Sequence, residues 1–225
     1  MVCREAEKKG ININPYTRHI ESFTQKSKDR VLQTISFEEI KQIKALRDLP
    51  SSLENARKWI LIGLYIGQRV SDLLALKPSQ LRFIENGVYI DINQQKTDKY
   101  VTVGVLDNEV IQILKQRFPY AISAQLFNRQ IKQICQIVGI FEMVSGFKLY
   151  PKTRSKRLGT HPKYSLISSH DLRRSFATNY FGKIETPILM QITGHSKENT
   201  FLSYIGTQVN KDTYADAFMK VAATF

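Results

Sequence analysis

From Ser36 onward, apolar residues recur at the spacing of one helix face. Phe37, Ile40, Ile43 and Leu46 fall three residues apart, close to the period of an amphipathic helix. The "SFEE" ahead of them, Ser36 with Glu39 three residues later, reads as a capping box. Pro50 ends that helix. "SSLE" then predicts a second box, Ser51 with Glu54, opening a helix lined by Leu53, Ala56, Ile60 and Leu64 and broken by Gly67. In "GQRVSDLLALKP", residues 67–78, Val70, Leu73, Leu74 and Leu76 are buried-helix material, Pro78 is the stop, and Arg69 sits at the junction. The period then changes to two. "GVYIDI" and "KYVTVGV" predict two strands of a β-hairpin, joined by "NQQKTD" at residues 93–98 with Lys96 near the tip. Helical spacing returns over residues 107–117 and 124–138, the latter with Phe127, Ile131, Ile134 and Val138 on one face and Gly139 as its stop. Further helices are predicted from His170 to about Phe181, from Thr186-Pro187 to Gly194 with proline in the first turn, and over residues 197–205. A last amphipathic helix is expected at about residues 210–222, with Tyr214, Phe218 and Val221 on its apolar face. The fold class expected is mainly α with one small antiparallel β-sheet, an α+β arrangement.

Two stretches fall outside this pattern. Residues 1–32 are polar and weakly periodic; "KKGININPYTRHIESFTQKSKDR" reads as a helix end, a turn around Asn14-Pro15 and a linker. The expectation is that they are the tail of a domain lying upstream, and that residues 33–225 form the main domain. The other stretch is basic. Across the 225 residues, 33 Lys and Arg face 20 Asp and Glu, a formal charge of +13, which favours a polyanionic partner such as nucleic acid. No acidic residue occurs between Glu142 and Asp171, where Lys148, Lys152, Arg154, Lys156, Arg157 and Lys163 lie. That window reads as a loop tracking a phosphate backbone.

Other classes recede. The two cysteines, Cys3 and Cys135, make neither a disulfide framework nor a metal-ligand spacing, and Cys135 falls on a core helix face. No apolar run reaches membrane-spanning length and no signal-peptide pattern opens the chain, so a soluble cytoplasmic protein without metal or cofactor is expected.

The chemistry gathers in two segments. In "SSHDLRRSFATN", residues 168–179, His170 and Arg173 are three apart and share a helix face. The start of a helix adds unpaired N–H groups and a positive dipole end, so an anion fits there. Arg174 is read as a structural or backbone-phosphate residue. In "ITGHSKENTFLSYI", residues 192–205, His195 follows a glycine stop and Tyr204 comes nine residues later. A tyrosine can attack phosphorus when a base and cations assist it.

"HDLRRSFATN" followed by "LMQITGHSKENTFLSYI", with "YIGQRVSDLLALKPSQL" and "INQQKTDKYVTVGV" upstream, resembles the tyrosine recombinase (phage integrase) family over about residues 33–210. Four boxes in the family's order are specific where one would not be. The resemblance implies the catalytic-domain fold of that family and assigns roles. Arg69 and Arg173 are similar to the phosphate-clamping arginines, and Lys96 to the hairpin lysine that protonates the leaving 5′-oxygen, Lys99 being the alternative. His170 corresponds to the proton acceptor, His195 to the His/Trp position and Tyr204 to the nucleophile. It implies DNA cleavage and rejoining through a 3′-phosphotyrosine, without metal or ATP, by a site-specific recombinase of a mobile genetic element. An invertase, a chromosome-dimer resolvase, a type IB topoisomerase and a non-catalytic DNA-binding module are the alternatives. The implied partners are double-stranded recombination sites and a homo-tetramer on DNA, with the C-terminal helix docking on a neighbouring protomer and the isolated chain monomeric. Tyr204 is expected near the other five residues, on a helix able to move away without DNA. Lys152, Arg154, Lys156, Arg157, Lys163 and Arg174 are expected along the DNA.

Overall fold

The computed structural model describes residues 2–19, 31–150 and 155–206, with 219, 222 and 223. Lys152, Arg154 and nearly all of the helix expected at 210–222 lie outside them. Two compact units are present, Met1–Arg30 and Val31–Phe225. In the first, helix α1 (Val2–Lys8) ends before a 3-10 turn at Pro15–His19, entered where the Asn14 side chain accepts the Tyr16 N–H at 3.0 Å.

The second unit is built around a helix that is apolar on nearly every side. Helix α2 (Phe37–Ala45) comes first, with its capping box formed: Ser36 Oγ accepts from Glu39 N at 3.2 Å, and Glu39 Oε2 accepts from Ser36 N at 2.7 Å. Helix α3 (Ser51–Ile66) follows, with Trp59, Ile60, Leu61, Ile62, Leu64 and Ile66 all buried. A helix apolar on most of its sides must be enclosed, and α2, the four helices after α3 and the sheet pack against it. The second expected box does not form. The Glu54 carboxylate is held instead by Arg57 at 2.7 and 3.0 Å, and Arg57, itself buried, also reaches Glu109 at 2.8 Å. A buried guanidinium needs such partners, and that demand outweighs the cap. Gly67 ends α3 with φ 61°, a left-handed conformation that suits glycine.

Helix α4 (Val70–Leu74) is shorter than the sequence suggests, and Pro78 opens a 3-10 turn rather than stopping a helix. The sheet after it has three strands, not two. β1 (Leu81–Ile84), β2 (Gly87–Gln94) and β3 (Lys99–Val105) run antiparallel in that order. β1 is four residues long and mostly exposed, so it carries no alternation to read. On β2, Val88, Ile90, Ile92 and Gln94 are buried in step with Val105, Val103 and Val101 of β3. The buried face thus ends on a polar residue, Gln94.

Helices α5 (Asn108–Gln116) and α6 (Ala124–Val138) complete the wall of the core, the latter capped by Ser123 and stopped at Gly139. Cys135 is fully buried on α6, and burial pushes its thiol up to about 12. The basic window is not a loop. Strands β4 (Met143–Tyr150) and β5 (Ser155–Pro162) pair antiparallel as a second sheet. Its exposed Phe147, Leu149 and Leu158 hide the period of two from a sequence reading, and Gly146 packs where a side chain would meet Leu166.

Helices α7 (Ser169–Tyr180), α8 (Thr186–Thr193) and α9 (Glu198–Ile205) share a separate small core of Phe176, Ala177, Leu189, Phe201 and Ile205. At about 1.5–3 kcal/mol for each large apolar side chain buried, it is this cluster that seats α9 against α7.

Candidate active site

Arg69 stands at the N-cap of α4, just after the Gly67 turn. Its Nη1 donates to Gln94 Oε1 at 3.3 Å and lies 4.0 Å from a carboxylate oxygen of buried Asp72. Asp72 also accepts the Gln95 N–H at 3.1 Å, which ties α4 to the hairpin turn one residue before Lys96. Gln94 is a junction. Its Nε2 donates to Gln68 Oε1 at 2.8 Å and to the Ile192 carbonyl at 3.0 Å, and its Oε1 accepts from Thr97 Oγ1 at 2.9 Å. A Cβ at Gly194 would run into the same carboxamide.

Arg173, in the second turn of α7, is 2% exposed. It donates to the Gly67 carbonyl at 3.2 Å and to the Thr193 carbonyl, and so bridges the ends of α3 and α8. Burial, then the nearby charge of Arg69, pulls it down to about 10. Two arginines repelling each other in a half-dry site make an attractive field for an anion. The shared face read for His170 and Arg173 separates them by depth: His170 is exposed in the first turn while Arg173 is buried.

His195 follows the left-handed Gly194 that closes α8. Its Nδ1 is 2.8 Å from Thr193 Oγ1. Burial, then Arg173, Arg69, His170 and Lys99, pull its pKa down to about 4. Tyr204 is half-buried on α9, its ring 5.1 Å from that of His170 and 4.9 Å from that of His195, centroid to centroid. Its hydroxyl donates to the His170 carbonyl at 3.3 Å. Burial raises its pKa, and Arg173 and Arg174 oppose that rise. The tyrosine helix, expected to be able to move away, is docked.

The hairpin lysines divide. Lys96 is exposed in the turn. Lys99 donates to Ser196 Oγ at 3.1 Å and lines a cleft with Tyr100, Met190, Gln191 and His195. Arg69, His170, Arg173, His195 and Tyr204 are therefore brought together, with Lys99 close enough for its charge to act on His195 and Lys96 out in the turn.

Two residues expected along DNA are spoken for inside the fold. Lys163 is paired with Glu39 at 2.7 and 2.9 Å, 12% exposed, because Glu39 turns inward to cap α2 and needs a cation. Arg174 is buried against Asp171 and the Tyr204 carbonyl, of its two readings the structural one. Lys156 and Arg157 remain exposed on β5, with Arg157 stacked 5.2 Å from the Tyr150 ring. Lys132 on α6 escaped the sequence reading; partial burial, then the charge of Lys148, lowers its pKa, and Asp171 on α7 opposes them. Asp72, Gln94, Gln68 and Thr193 also escaped it, since a buried polar residue gives no periodic signal. Among the described residues, no three His, Cys, Asp or Glu side chains gather to hold a metal ion, and no helix is long and apolar enough to cross a membrane.

Comparison with solved structures finds the same fold. The XerH site-specific recombinase in a pre-cleavage complex with its difH substrate matches at TM-score 0.60 and 19% identity, covering 88% of this chain and 56% of that one. A lambda integrase dimer bound to a COC′ core site matches at 0.59 and 18%, covering 92% and 70%. The Tn1549 transposon integrase in complex with transposon right end DNA matches at 0.64 and 14%, covering 98% and 75%. The chain thus spans little more than half the length of the XerH chain. A comparison with curated protein sequences finds no match. The family model described as the phage integrase family matches residues 33–211, four-fifths of the sequence, and the chain belongs to that family.

Proposed function

We propose that the chain cleaves and rejoins DNA through a covalent phosphotyrosine. The observation that carries this reading is the seating of the Tyr204 ring between His170 and His195, within the field of Arg173. A tyrosine hydroxyl is ordinarily protonated at neutral pH, so attack needs an acceptor and a positive field. Tyr204 Oη attacks the phosphorus and passes its proton to His170. The P–O5′ bond breaks, and the 5′-oxygen takes a proton from Lys96 in the hairpin turn. A 3′-phosphotyrosine and a 5′-hydroxyl result. Attack by a 5′-hydroxyl reverses the step and reseals a strand, with no net loss of phosphodiester bonds. Arg69 and Arg173 hold the nonbridging oxygens, where charge accumulates.

The partner in this reading is a double-stranded recombination site, and the working assembly is a tetramer. The XerH, lambda and Tn1549 proteins named above stand on DNA in their structures, and a lambda integrase tetramer is bound to a Holliday junction. The net positive charge and the exposed Lys156 and Arg157 on a basic hairpin support such a partner. Integration of a mobile element is the role we favour.

Covalent trapping tests the reaction. Nicked half-sites made from DNA flanking the gene are incubated with the chain and with Tyr204→Phe. An adduct on Tyr204 that the variant cannot form, while it still binds the DNA, is the expected result. An adduct that persists in Tyr204→Phe, or DNA binding without any adduct from the unsubstituted chain, overturns the proposal.

A further inference from the structure

Arg174 touches the nucleophile's residue twice. Its Nε donates to the Tyr204 carbonyl at 3.0 Å, and its guanidinium carbon lies 5.0 Å from the centre of the Tyr204 ring. The guanidinium is itself held: Nη1 pairs with Asp171 Oδ1, and the other Asp171 oxygen accepts from Ser168 N at 2.8 Å and Ser168 Oγ at 2.7 Å. Both side chains are about nine-tenths buried. A run of polar contacts therefore leads from the start of α7 to the main chain and the ring of one residue on α9. The salt bridge itself lies within α7, and the contacts that Arg174 makes from it to α9 fall on the tyrosine. A cation on the ring face also favours the build-up of negative charge on the phenolic oxygen.

We propose that Arg174, anchored by Asp171, is a positioning residue that holds Tyr204 in the site of its own chain. The inference rests on the phosphotyrosine reading above. It requires Arg174 to matter only when Tyr204 is the attacking group.

The test compares two nucleophiles on the same DNA. In one arm, the rate of covalent adduct formation is measured for the unsubstituted chain and for Arg174→Met. In the other, Tyr204→Gly is supplied with hydrogen peroxide, whose oxygen attacks phosphorus while the 5′-oxygen leaves with a proton; Arg174→Met is added to that background, with Arg69→Ala as the control that must lose activity. Misplacing a nucleophile by about 1 Å costs about 10²-fold, so Arg174→Met is expected to slow adduct formation about 10- to 100-fold and leave peroxide cleavage within about twofold. Equal losses in both arms, or no loss of adduct formation, overturn the inference. Absence of an adduct from the unsubstituted chain overturns the parent reading instead. If circular dichroism shows Arg174→Met unfolded, Arg174→Lys, which keeps the charge without the planar fork, carries the same comparison.

Discussion

The Thr193 hydroxyl and the His195 ring fix each other's protons. Thr193 Oγ1 lies 2.5 Å from the Leu189 carbonyl and donates its only hydrogen there, so it accepts from His195 Nδ1 at 2.8 Å. The neutral imidazole consequently carries hydrogen on Nδ1 and a lone pair on Nε2. Thr193→Val removes the acceptor. Nitrogen-15 shifts of the ring at pH 7 should report the Nδ1–H tautomer in the parent chain and a majority of the Nε2–H form in the variant. An unchanged tautomer would show that another group holds Nδ1.

The same histidine makes stability depend on pH. Its pKa falls from the ordinary 6.5 to about 4, with burial as the main cause and Arg173 and Arg69 next. Between those values the unfolded chain binds the proton and the folded chain does not, so stability rises with pH across that window. It is lost as pH falls from about 6.5 toward 4. Urea unfolding at successive pH values should show this slope, and His195→Gln should flatten it. A slope unaltered by the substitution would place its origin elsewhere.

Salt dependence separates Lys163 from the other basic residues of its window. Each phosphate contact contributes about 0.9 to the slope of log K against log salt. Lys156→Ala and Arg157→Ala should each lower that slope by about 0.9. Lys163→Met should leave it unchanged and instead cost about 1–3 kcal/mol of stability, because Glu39 loses its cation. A Lys163→Met chain of full stability and reduced salt slope would reverse this assignment.

The two hairpin lysines can be told apart by the leaving group. A 5′-bridging sulfur departs without needing a proton, so it rescues only the loss of a general acid. Lys96→Ala is expected to slow cleavage of the oxygen substrate about 10²-fold and to recover on the sulfur substrate. Lys99→Ala, which loses the contact with Ser196, should show the same deficit on both. Rescue of Lys99→Ala alone would transfer the role to it.

Much of the fold was legible because its core obeys simple periods. The α6 stripe of Phe127, Ile131 and Ile134 is buried in full, and Gly67, Gly139 and Gly194 end helices in left-handed conformations. What sequence could not show is where long-range partners compete for a local signal. Glu54 looked like a cap but is held by Arg57, which is buried and shared with Glu109 52 residues away, and Lys163 looked like a DNA contact and went to Glu39, 124 residues away. β4 was hidden because Met143, Phe147, Leu149 and Tyr150 are exposed and its one buried position is Gly146, so no buried apolar face marks it. Of the six residues read in four boxes, the five from three of them stand together, but the amides and hydroxyls beneath them were not legible, since Gln68, Gln94 and Thr193 look like any other polar residue until the chain is folded.

The Gln94 carboxamide makes the site indivisible. One planar group of a few atoms meets Arg69, Gln68, Thr97, the Ile192 carbonyl and the glycine before His195. The hairpin is therefore not an exchangeable module. A chimera that imports residues 87–105 from a relative must import a compatible partner at positions 68 and 194 as well, and three segments far apart in the chain are free to diverge only together.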